Sequence, residues 1–140
     1  MIVAPSPADG AVRGGVRALL RMEAALLFAL ALWAYGRWGM GWGTFALCFL
    51  LPDLAFLGYL AGPRIGALAY NATHALLGPL ALLAFGVANG ERAALAAGLI
   101  WTAHVGFDRM LGYGLKYAAG FRATHLGRIG RDRHAAEAAA

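Results

Sequence analysis

Four long apolar runs organise the chain, at residues 18–35, 44–62, 65–88 and 93–115. Each holds 18 to 24 residues. As a helix, each is long enough to cross a hydrocarbon core of about 30 Å. Lipid offers backbone groups no hydrogen-bond partners, so helices are expected rather than open strands. The pattern predicts an all-α fold, a four-helix transmembrane bundle. Residues 17–130 are expected to form this membrane domain, closed by a short interfacial segment after the fourth helix. Residues 1–16, polar and rich in Pro and Gly, read as a disordered arm, and the Ala-rich residues 131–140 as a disordered tail.

The first run has the flanks of a signal peptide, with "ALA" at 29–31 as a cleavage site. The apolar pattern continues unbroken through Leu32, Trp33 and Ala34, which predicts an uncleaved helix.

Polar residues inside the runs fall at one depth. The rise of a helix is 1.5 Å per residue. Counted inward from the helix ends expected on the cytoplasmic side, Asp53 lies about 12–14 Å deep, and Asn71 and His74 about 10–15 Å. On the fourth helix, His104 lies about 15 Å deep and Asp108 about 9 Å. His104 and Asp108 are four apart and project from one helix face. Asn71 and His74 are three apart on another. Pro52 is expected to disturb the second helix beside Asp53, and Pro79 to disturb the third nearer the far side.

Composition agrees with the pattern. Hydrophobic residues make up 61% and charged residues 14%, against roughly 25% charged in soluble domains. The net charge of +5 sorts by topology rather than as a nucleic-acid surface. Arg13, Arg17, Arg21, Arg64, Lys116, Arg122, Arg128, Arg131 and Arg133 fall on one side. Arg37 and Arg92 fall on the other, and Arg109 lies within the fourth helix. Cations concentrate on the cytoplasmic side of membrane proteins, so both termini are expected there. Cys48 is the single cysteine and reads as a small buried hydrophobe. Trp33, Tyr35, Trp38 and Trp42 mark the opposite interface. Tyr113, Tyr117, Phe121 and His125 recur every four residues and, if helical, make an aromatic stripe suited to the headgroup layer. Gly120, Gly127 and Gly130 argue against a long helix there.

Ionisable groups at such depth are costly unless paired, hydrated or bound to a cation. Asp53, His74, His104 and Asp108 make a mixed N/O donor set suited to Zn²⁺, Mn²⁺ or Fe²⁺. With an open position, such a metal supports hydrolysis. The same four, with Arg109, are the candidate catalytic groups. Lys116 and Arg109 are candidate anion contacts. Tyr59, Tyr70 and Asn71 complete the candidate substrate contacts, for a lipid or another amphipathic substrate. Two other readings stand beside this one. The polar layer serves as packing glue in a non-enzymatic membrane subunit, or as an ion path in a small transporter.

The blocks "LPDLAFLGYLAGPRIGALAYNATHALLGPL" and "IWTAHVGFDRMLGYGLKYAAGFRATHLGRIG" resemble a bacterial domain-of-unknown-function family of small integral membrane proteins. Its pattern runs PD-x4-GY, GP-x2-G-x3-YN-x2-H, H-x-G-x-DR-x2-GYGLK and THLGRIG. This chain matches it at Asp53, Tyr59, Tyr70, Asn71, His74, His104, Asp108, Arg109 and Lys116, among others. The resemblance covers about residues 17–130 and implies a multi-pass protein of the bacterial inner membrane with a shared polar centre. A narrower likeness to membrane-bound metal-dependent hydrolases rests on the Pro-Asp block followed by histidines on the next helix. Their His-Arg…Thr-His-Ser block reads "YNATHA" here.

Overall fold

Two prolines decide where the membrane helices break. A proline ring lacks an N–H and crowds the carbonyl four residues earlier. In the computed structural model, which describes residues 10–130, the first helix is unbroken: α1 spans Gly14–Trp38. The second segment starts as α2, Trp42–Cys48, and stops four residues before Pro52. It resumes as a 3-10 helix, Leu51–Ala61. The third segment starts as α3, Pro63–His74. Ala75, four residues before Pro79, is extended (φ −79°, ψ 146°), and α4, Leu77–Asn89, follows. The last helix, α5, spans Arg92–Leu111 without interruption. The disturbance from Pro79 therefore falls at Ala75, beside His74, and not near the far side.

The result is an all-α bundle of four membrane-length rods. Three of them, Gly14–Trp38, Trp42–Ala61 and Pro63–Asn89, are long and apolar enough to cross a membrane. Leu47, Leu60 and Leu77 are each more than 80% exposed, a surface that suits lipid rather than water. The fourth rod, α5, is the central one. It packs on both α1 and α4, and Ala103, His104 and Val105 on it are at most 1% exposed. A helix shielded by its neighbours carries polar groups at lower cost than one facing lipid, which is why the ionisable residues concentrate there.

Helix crossings are tight where side chains vanish. A Cβ on Gly106 of α5 would stand 3.0 Å from the Phe28 nitrogen and 3.1 Å from the Ala24 carbonyl oxygen of α1. Small residues allow such backbone approach in membranes. Gly66 of α3 serves the 3-10 helix in the same way, with the Tyr59 ring lying against it.

Gly112 ends α5 in the left-handed region (φ 97°) and turns the chain back. The segment beyond it is a hairpin, not the aromatic-striped helix. Strands β1 (Ala123–Thr124) and β2 (Gly127–Arg128) pair antiparallel, and Lys116 bridges to Thr124. The Phe121 ring packs on Phe56 and Tyr59. The hairpin also meets the start of the chain: Val12 N–H donates to the His125 carbonyl, and the Tyr117 hydroxyl to that of Gly10. Arg21 Nε donates to the Met110 carbonyl, so the start of α1 and the end of α5 lie at one end of the bundle. The expectations for residues 1–9 and 131–140 lie outside the described residues.

Candidate metal centre

The helix breaks place the polar layer. Asp53 opens the 3-10 helix just after the Pro52 break. His74 is the last residue of α3, at the Pro79 break. His104 and Asp108 sit one turn apart on α5. Three separate rods thus deliver four donor groups to one point, and one donor atom from each lies within 4.8 Å of all the others.

The distances fit a single ion. A tetrahedral shell of radius about 2.0–2.1 Å has ligand–ligand edges of roughly 3.3–3.4 Å. His74 Nε2 lies 3.4 Å from Asp53 Oδ1 and 3.3 Å from Asp108 Oδ2. His104 Nε2 lies 3.4 Å and 3.7 Å from the same two oxygens. The two Nε2 atoms are 3.0 Å apart. Charge fits as well. Two carboxylates and two neutral imidazoles carry two negative charges, which a divalent ion balances. Among the described residues, no Arg or Lys forms an ion pair with either aspartate.

The surroundings fix the donors. The His74 ring is 3% exposed and the His104 ring 1%. His74 Nδ1 faces the Tyr70 carbonyl at 3.0 Å and Thr73 Oγ1 at 2.8 Å. A carbonyl only accepts, so that nitrogen carries the proton and Nε2 presents its lone pair to the centre. The Tyr70 hydroxyl donates to Asp108 Oδ2 (3.2 Å), and its ring stacks on His74 with centroids 3.7 Å apart. His104 rests against the edge of Phe49. Among the described residues its Nδ1 is buried without a hydrogen-bond partner, so on the side away from the centre that ring is held by packing alone.

Other candidate residues take backbone partners. Arg109 Nη2 donates to the His74 carbonyl, which the Ala75 break has freed. No ion pair joins it to Asp53 or Asp108 among the described residues. The Asn71 amide clamps Lys116, donating to its carbonyl (2.8 Å) and accepting from its N–H (2.7 Å). Lys116 is buried, with Nζ 3.9 Å from the Phe121 ring centroid and 4.8 Å from that of Tyr70. Burial pushes its pKa down to about 8, and the charge of Asp108 offsets part of that. His125 in the hairpin turn is also pushed down, by burial first and then by Arg109; Leu115 N–H donates into its Nδ1. Among the described residues the Tyr59 hydroxyl is buried without a hydrogen-bond partner.

Two supporting residues escape a reading of the sequence. Thr73 Oγ1 reaches the Pro52 carbonyl (3.2 Å), tying α3 to the start of the 3-10 helix. Trp101 Nε1 donates to the Thr73 carbonyl. The signal for Trp101 is its place in mid-segment, away from either interface, where an indole N–H needs a partner.

No curated protein and no solved structure matches the chain. A family model does, over residues 17–129. The region matched takes in all four donors and all of the bundle but the first three residues of α1, and the chain belongs to the family described as domain of unknown function DUF4260.

Proposed function

We propose that the protein is a membrane-embedded metalloprotein. It holds one divalent first-row ion between Asp53, His74, His104 and Asp108, and uses the centre to hydrolyse a lipid or another amphipathic substrate. The observation that carries this reading is the convergence of four donors from three rods, with the histidine nitrogens 3.0–3.7 Å from each other and from the carboxylate oxygens, bracketing the edge of roughly 3.3–3.4 Å in a tetrahedral shell. Zinc is the ion such a shell suits first.

When bound, the ion supplies Lewis acidity toward a substrate oxygen. The protein's own groups have separable tasks. His74 and His104, buried and rigid, hold the centre. Asp53, at 31% the most exposed of the four, is placed to accept a proton from an attacking water at Oδ2, the oxygen it does not turn toward the two histidines. Lys116, under the hairpin, supplies positive charge toward an anionic headgroup. An apolar cavity of about 340 Å³ supports the amphipathic substrate class. Pro52 and Thr73, the neighbours of Asp53 and His74, line one part of it, with Cys48, Leu51, Ile100 and Trp101. Metal analysis of the purified protein tests the reading. The expected result is about one divalent ion per chain, lost in His74→Ala and His104→Ala. Chains that fold, retain their hairpin and carry no stoichiometric ion would sink it.

One observation favours a second, non-enzymatic reading. All four positions are filled from the protein, as in structural metal sites. An ion there staples the 3-10 helix, α3 and α5. Chelation separates the two. Loss of thermal stability without turnover of any lipid ester or phosphoester favours the staple.

We further propose that the protein lies in the bacterial inner membrane with both termini cytoplasmic. The cationic residues Arg13, Arg17, Arg21, Arg64 and Lys116 support this orientation. Cysteine labelling from either side of the membrane tests it.

A further inference from the structure

The two cations on the opposite side of the membrane share a single cavity. Arg37 ends α1 and Arg92 begins α5, 55 residues apart in sequence. Both line a cavity of about 850 Å³ between α1 and α4, within the size range of small-molecule sites. Its wall includes Leu83, Leu95 and Leu99, and the third charged residue lining it is Glu91. Arg92 Nη2 donates to the Gly39 carbonyl, and Arg37 lies 5.5 Å from the Trp33 ring centroid. Each guanidinium therefore has a partner that limits its swing. The cavity is independent of the metal centre.

The chemistry of the lining selects an occupant. An apolar wall at a membrane boundary suits acyl chains. Two guanidiniums suit a phosphate, which arginine recognises through paired N–H donors. A lone carboxylate beside them disfavours a purely anionic headgroup and suits an adjacent ammonium with N–H donors. We propose that this cavity binds a glycerophospholipid with an ethanolamine-type headgroup, its phosphate at Arg37 and Arg92 and its ammonium at Glu91. A choline headgroup has the same charges but no N–H to donate. A glycerol headgroup has the phosphate without the cation.

Native mass spectrometry of the full-length protein, released from micelles doped with defined lipids, tests this. Phosphatidylethanolamine is expected to be retained at least 10-fold more than phosphatidylcholine or phosphatidylglycerol. Glu91→Gln is expected to erase the preference over phosphatidylglycerol. Arg37→Gln with Arg92→Gln is expected to abolish retention of all three. Val87→Trp keeps all three charges and fills the cavity from its α4 side; it is expected to lower retention even if the double variant fails to fold. Equal retention of the three lipids overturns the proposal. So does full competition by millimolar inorganic phosphate, which would mark a free-anion site, or unchanged retention in Val87→Trp.

Discussion

His74 and His104 meet nitrogen to nitrogen, their Nε2 atoms 3.0 Å apart and both rings almost fully buried. The His74 proton is held on Nδ1 by the Tyr70 carbonyl, so its Nε2 lone pair needs either a cation or the N–H of His104. Tyr70 thus acts on the centre twice, through its carbonyl on His74 and its hydroxyl on Asp108. Tyr70→Phe removes only the second contact. Outer-sphere partners of this kind are worth about 10–100-fold in metal affinity. Competition against a chromophoric chelator is expected to show a loss in that range for Tyr70→Phe. An unchanged affinity would remove Tyr70 from the supporting shell.

Arg109 reads differently once its partner is known. Its guanidinium satisfies the His74 carbonyl at the helix break, so its first duty is structural. Hydrogen bonds from charged donors contribute about 1.5–3 kcal/mol. Arg109→Met is expected to lower stability by that order in denaturation from micelles. Arg109→Lys is expected to recover only part of it, since a lysine cannot reproduce the planar fork. Full stability in Arg109→Met, with activity lost, would instead return Arg109 to substrate binding.

The α1–α5 crossing rests on Gly106. Any side chain there meets the backbone of Phe28 and Ala24, and backbone cannot swing aside as a side-chain tip can. Overpacking of this kind costs about 1–3 kcal/mol. Gly106→Val is expected to lower the thermal midpoint in micelles, and Gly15→Val, where nothing lies within 4 Å, to leave it nearly unchanged.

Lys116 gives the protein a signature in alkaline solution. Its pKa falls from an ordinary 10.5 to about 8 on folding. Below about 8 it is protonated in both states, and the burial penalty is constant. Between about 8 and 10.5 the unfolded chain binds the proton that the folded chain has released. Stability therefore rises with pH across that window. Denaturant titrations from about pH 7.5 to 10.5 are expected to show the rise in the wild type and its loss in Lys116→Met. A flat wild-type profile would show that the ammonium is well solvated.

Much of this architecture is legible in the sequence because lipid imposes one rule on every segment. Run length gave the four rods, and a constant rise per residue aligned Asp53, His74, His104 and Asp108 at one depth. The features that stayed hidden involve backbone groups. Periodicity does not show that Pro79 frees carbonyls beside His74, so Arg109 and Trp101 have no visible partners in the sequence. Asn71, a substrate contact by its position, is committed to the Lys116 backbone. The stripe from Tyr113 to His125, conditional on a helix that Gly120, Gly127 and Gly130 argued against, does not form, because Gly112 reverses the chain and the hairpin takes over.

The Pro79 break makes the sharpest test of how the fold builds the centre. Ala75 is extended because Pro79 has no N–H to give its carbonyl and its ring crowds that oxygen. Pro79→Ala restores the missing donor and lets α3 run on into α4. Removing an interior helix proline relieves a conflict of about 3 kcal/mol, so the substitution alone favours the continuous helix. Continuing the helix through Ala75 rewinds the turn that carries His74 and withdraws the carbonyls now taken by Trp101 and Arg109. Pro79→Ala is therefore expected to raise helicity by circular dichroism while binding metal roughly 10-fold more weakly or worse, the scale of a lost orienting contact. Helicity and metal affinity move in opposite directions only if the break exists to aim His74. An equal affinity in the straightened helix would mean that α5 and Asp53 hold the centre without it.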